Sequence, residues 1–184
     1  MRRADAMGLL PREKLIESLD MSTVAQFLHH IAKAGISHGS YQDLVDPSGL
    51  DSDKLEGLLS QVSRALEESP APVFEWPQLL ELFGVDQLAQ LLRISPSSVR
   101  RYKAHARMTP DDVAARMHFL ALVAGELAGA YNDIGIRRWF DRKRTLLENR
   151  SPAEVLTRHE WRPTDPGPSK VRDLARSLLS APAT

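Results

Sequence analysis

Apolar residues recur three or four positions apart along most of this chain, and no stretch of useful length alternates apolar with polar. That period predicts amphipathic helices and no sheet, so the expected fold class is all-α. Residues 85–103, VDQLAQLLRISPSSVRRYK, carry the pattern in its sharpest form. Leu88, Ala89, Leu91 and Leu92 share one face of a short helix. Arg93, Ile94 and Ser95 break the period, and Val99 and Tyr102 resume it three residues apart. Ser95 is suited to cap the second helix, and Pro96 to open it, because the first turn has no use for the missing N–H. Small Ala89 allows the two helices to cross closely, with Leu92, Ile94, Val99 and Tyr102 filling the corner. The segment reads as a helix-turn-helix. Glycine often takes the left-handed turn position in such a pair; here Arg93 occupies it, at a cost of order 1 kcal/mol.

The same period places further helices. Residues 11–34 predict two, with Leu15, Ile16 and Leu19 inward in the first and Val24, Phe27, Leu28 and Ile31 in the second. His29 and His30 point to different sides of that second helix and so cannot chelate a metal from one face. Asp51 or Ser52 opens a helix to Glu68 with Leu55, Leu58, Leu59, Val62 and Leu66 inward, while Asp53, Glu56, Glu67 and Glu68 form a solvated acidic side. Residues 69–72, SPAP, read as a linker. Trp76 and Pro77 open a helix ended by Gly84, and Thr109 is placed to cap a long segment begun by Pro110. In that segment Val113, Met117, Leu120, Ala121, Ala124, Leu127 and Ala128 form a seam rich in small residues, suited to internal packing or to a dimer contact. Toward the end, Ser151, Pro152 and Glu154 make a capping pattern, and a proline-rich loop leads to a closing helix over residues 169–179. Three segments follow: an acidic helical part (1–69), a helix-turn-helix domain (73–131) and a small C-terminal helical module (132–184).

Charge sharpens this division. The whole chain is neutral, but residues 1–83 hold seven basic and thirteen acidic side chains, against seventeen and eleven in residues 84–184. A polyanionic partner therefore belongs to the second half. With Val99 and Tyr102 turned inward, Ser97, Arg100, Arg101 and Ala104 face outward, and Lys103, His105 and Arg107 lie nearby. Hydroxyl and guanidinium groups near a helix start can reach base edges in a major groove, and the flanking cations can meet phosphates. Ser95, Ser97, Ser98, Arg100, Arg101, Lys103 and Arg107 are the expected contacts to double-stranded DNA. The chain has no cysteine, and the opening MRRADAMGLL is too short for a signal peptide. No run approaches the roughly 18–20 apolar residues of a membrane span, so a cytoplasmic location is expected. A Gly-rich phosphate loop, a metal-ligand spacing and a nucleophile–base pair are all missing, so neither an enzyme nor a cofactor is expected.

LAQLLRISPSSVRRY, IRRWFDRKRTLLENRSPAEVL and VRDLARSLL together resemble Xre-type antitoxins carrying the MbcA/ParS toxin-binding domain, over roughly residues 76–180. In that pattern Trp139, Leu146, Leu147, Pro152 and Leu156 are expected core residues. The resemblance implies an antitoxin that neutralises a RES-type, NAD-consuming toxin and represses its own operon as a homodimer or higher assembly. The expected toxin-contact residues are Arg158, Trp161, Arg162, Lys170, Arg172 and Arg176. The alternative is a stand-alone helix-turn-helix regulator whose C-terminal module binds another protein.

Overall fold

The computed structural model describes residues 52–180. The helices expected in residues 11–34, His29 and His30, and a cap at Asp51 lie outside them. The described chain is all-α: α1 (Ser52–Glu68), α2 (Pro72–Leu92), α3 (Pro96–Lys103), α4 (Asp111–Leu127), α5 (Asp133–Asp141), a 3₁₀ turn (Thr145–Leu147), α6 (Pro152–Thr157) and α7 (Pro166–Ser180). Among the described residues there is no strand, only a lone antiparallel bridge between Arg144 and Arg150.

α4 is the axis of the bundle. Every residue from Arg116 to Leu127 is buried, on all sides of the helix, and α2 and α7 pack directly against it. A helix apolar around its whole circumference is stable only inside a shell of others. Of the small residues, Ala121, Ala124 and Gly125 are buried within the chain, so they serve internal packing. Ala128, expected in the seam, is exposed because α4 has already ended at Leu127. Pro110 takes the N-cap position, and Thr109 makes no cap; its hydroxyl instead accepts the Trp76 indole N–H at 3.0 Å.

One apolar core runs from Val62 and Leu66 of α1 through Trp76, Leu88, Leu92, Val99 and Met117 to Trp139, Leu156, Val171 and Ala175. Residues 69–72 do not hold α1 apart from this core, since Ala71 is buried and Pro72 already stands in the first turn of α2. α2 thus begins a turn before Trp76. Gly84 breaks it where expected, at φ 72° and ψ 173°, a conformation reserved in practice for glycine. The side chains of Leu55, Leu58 and Leu59 lie outside the described residues. α7 starts at Pro166 rather than at Ser169, because prolines fit a first turn whose N–H groups have no helical acceptor. In the C-terminal module, Trp139, Leu147, Pro152 and Leu156 are buried. Leu146 is not: it is 74% exposed on the outside of the 3₁₀ turn, while Leu147 fills the core position. Ser151 and Glu154 form the complete capping box, and the hydrogen bond from the Ser151 N–H holds the Glu154 carboxyl below its ordinary range.

The two buried carboxylates and the buried imidazole of the bundle are paired. Glu126 is 1% exposed and meets Arg172 Nε at 3.2 Å and Arg176 Nε at 2.9 Å, both from α7. Glu67 lies 3.6 Å from the same two guanidinium groups, so it belongs to this network and not to a solvated acidic side. His118 stands between Glu75 Oε1 at 2.6 Å and the Glu67 carbonyl at 3.0 Å, and thereby ties the end of α1 and the start of α2 to α4. Because a carbonyl only accepts, His118 Nε2 carries the proton there. Burial pushes the Glu75 carboxyl above its ordinary range, opposed by its contact with His118.

Two predictions follow from this packing. A carboxyl with a raised folded-state pKa contributes stability that is lost as pH rises through that pKa. The unfolded carboxyl ionises near its ordinary value of 4.5, so the loss begins above that pH. In thermal melts at rising pH above 4.5, this contribution should fall by at most about 1.4 kcal/mol per pH unit, and Glu75→Gln should change the slope by removing it. An unchanged slope in that variant would refute the assignment. Gly84→Ala should cost about 1–3 kcal/mol in denaturant unfolding although its Cβ meets nothing within 4 Å, since the penalty is conformational and not steric contact with neighbours.

Candidate nucleic-acid interface

The two helices around the turn are built from local chemistry. α2 ends at Leu92, and Arg93 adopts the left-handed conformation at φ 55° and ψ 47°. The Arg93 and Ile94 N–H groups close on the carbonyls of Gln90 and Ala89, at 3.1 and 3.0 Å. The chain then extends at Ser95, whose hydroxyl accepts the Ser98 N–H at 3.1 Å, and Pro96 opens α3. Val99 and Tyr102 point into the core, and Tyr102 stacks on Trp76 with ring centroids 6.0 Å apart.

This burial fixes what remains outside. Ser95, Ser97, Arg100, Arg101, Lys103 and Arg107 are exposed and lie on α3 and its flanks; Ser98 is half-buried. Ser95 Oγ lies 2.8 Å from Ser97 Oγ and 2.9 Å from Ser98 Oγ, so the three hydroxyls at the helix start form one cluster. Among the described residues none of Arg100, Arg101, Lys103 and Arg107 forms an ion pair. The result is a short helix with hydroxyls at its start and uncompensated cations along its outer side. Ala104 and His105, also exposed, continue into a loop where His105 takes a left-handed turn at φ 54°.

The C-terminal module supplies a second surface, smaller than expected. Arg158, Arg162 and Lys170 are exposed, and Arg158 and Lys170 rim a cleft of about 310 Å³ whose apolar walls include Leu147, Val155, Trp161 and Pro168. Trp161 itself is not an exposed contact residue. Its ring is buried edge-on against Phe119, centroids 5.1 Å apart, and its indole N–H donates to the Leu91 carbonyl at 3.2 Å. Arg172 and Arg176 also leave the expected contact set: both guanidinium groups turn toward buried Glu126, although Arg176 remains 42% exposed. Of the three consecutive bases at positions 142–144, Arg144 is half-buried and lies over the Trp139 ring at 5.3 Å, whereas Arg142 and Lys143 are exposed.

Two residues gain roles that periodicity does not show. The Arg93 guanidinium donates to the Thr157 carbonyl at the end of α6, and Arg137 donates to the Leu82 carbonyl at 3.1 Å, just before the Gly84 break. The sole sequence signal for Arg93 is a long cation standing where a turn favours glycine. Compared with family models, curated proteins and solved structures, the chain matches none.

Proposed function

We propose that this protein is a DNA-binding antitoxin that reads an operator in its own promoter through α3 and holds a RES-type toxin through its C-terminal module. The observation that carries the DNA reading is the unpaired basic side of α3, which begins with exposed hydroxyls and is backed by buried Val99 and Tyr102. Ser97 and Arg100 lie where a recognition helix meets base edges, and Arg101, Lys103 and Arg107 are free to neutralise phosphates. Two copies on a two-fold operator would set their α3 helices about 34 Å apart, one turn of duplex. Toxin binding rests on the resemblance of residues 76–180 to Xre-type antitoxins, with Arg158, Arg162 and Lys170 as the accessible contact residues. The mechanism needs no bond chemistry: the toxin is covered, and the promoter is occupied.

Replacing Arg100 and Arg101 together by Ala should abolish specific operator binding in a gel-shift assay and leave the protein folded and able to retain a partner. Unchanged operator affinity would sink the assignment of α3. Lys103→Ala should weaken binding to all sequences alike and reduce the salt slope by about one. Tagged full-length protein drawn from its native host should carry a small enzyme encoded beside its own gene. Recovery of DNA with no protein partner would overturn the antitoxin half of the reading and leave a stand-alone regulator.

A further inference from the structure

α3 is held at two ends by different means. Near its C-terminus, Tyr102 is stacked on Trp76, whose indole N–H is in turn fixed by Thr109. Its N-terminal end, where Ser97 and Arg100 stand, hangs on the turn of residues 93–95, and that turn and the last turn of α2 before it are tied to the C-terminal module by one hydrogen bond each. Each fills a gap that helix geometry leaves open. The last carbonyls of a helix have no N–H four residues on, and they need another donor. Leu91 O, in the last turn of α2, receives the indole N–H of Trp161 at 3.2 Å. Thr157 O, at the last residue of α6, receives the guanidinium of Arg93, a cation at the negative end of a helix. The end of α2 and the end of α6 with the segment that follows it thus exchange side-chain donors across the boundary.

From this exchange we infer that Arg93 and Trp161 are positioning residues for DNA reading: they set the angle at which the N-terminal half of α3 is presented. The inference rests on the DNA-reading role proposed for α3. Base recognition by paired hydrogen bonds is sensitive to small displacements, whereas attraction of exposed cations to phosphates is not. Loss of the exchange should therefore degrade discrimination between sequences more than overall attraction to duplex.

Arg93→Gly separates positioning from mere stability. Glycine relieves the left-handed strain at φ 55°, so the turn itself should be no less stable, yet the donor to Thr157 is gone. Trp161→Phe keeps the ring against Phe119 and removes only the N–H. The full-length protein is first used to enrich duplexes from a random pool. Both variants are then titrated against the enriched duplex and against random duplex at low salt, with thermal melts alongside. We expect both to bind the enriched duplex about tenfold more weakly and random duplex as wild type does, with Arg93→Gly melting no lower than wild type. Equal affinity of the variants for the enriched duplex would overturn the inference, as would a parallel loss on both duplexes. If Trp161→Phe does not fold, Arg93→Gly decides alone. Failure of the wild-type protein to enrich any duplex would instead remove the DNA reading, and the positioning role with it.

Discussion

Burial of α4 on every side is the constraint from which the rest of the bundle follows. A polar side chain buried on such a helix needs a partner, and while Arg116 finds one in Asp112 one turn back, most positions must draw theirs from another element. His118 and Glu126 are such side chains, and their partners come from far along the chain: Glu75 from α2, the Glu67 carbonyl from α1, and Arg172 and Arg176 from α7. These bonds choose which helices surround α4 and in what rotation. Apolar contact alone, being non-directional, would leave that rotation loose. Glu126 also draws the guanidinium groups of Arg172 and Arg176 toward the interior, while Lys170 of the same helix stays exposed.

The second constraint is the completion of helix ends inside a crowded structure. α2 exposes carbonyls at the Gly84 break and at its terminus, and both sets lie against the C-terminal module. Arg137 and Trp161 fill them, and Arg93 returns a donor to α6. The segments that charge and composition divide are thus joined by hydrogen bonds at the turn before α3 and by a core shared from Val62 to Ala175. The basic side of α3 remains outside because nothing in this exchange needs it.

What could be read directly from the order of residues is what local chemistry decides. The all-α class follows from apolar spacing. The left-handed turn at Arg93, the Ser95 cap, the opening by Pro96, the break at Gly84 and the Ser151–Glu154 box all depend on residues within a few positions of one another. The exposed hydroxyls and cations of α3 follow from the same period, because an eight-residue helix with Val99 and Tyr102 buried has only one other side to present. Tertiary structure alone decided the fate of groups whose partners are remote. Trp161 and Arg172 sit in a stretch that looks polar and accessible, yet Leu91 and Glu126, 70 and 46 residues away, draw them inward. Leu146 and Leu147 are alike in sequence, and only the path of the 3₁₀ turn exposes the first and buries the second. Thr109 matches a helix cap by type but serves Trp76 instead, 33 residues upstream. Sequence determines where a helix starts and which side of it is apolar, since both are short-range properties. Which buried polar atom meets which donor depends on distances that exist only once the helices have packed.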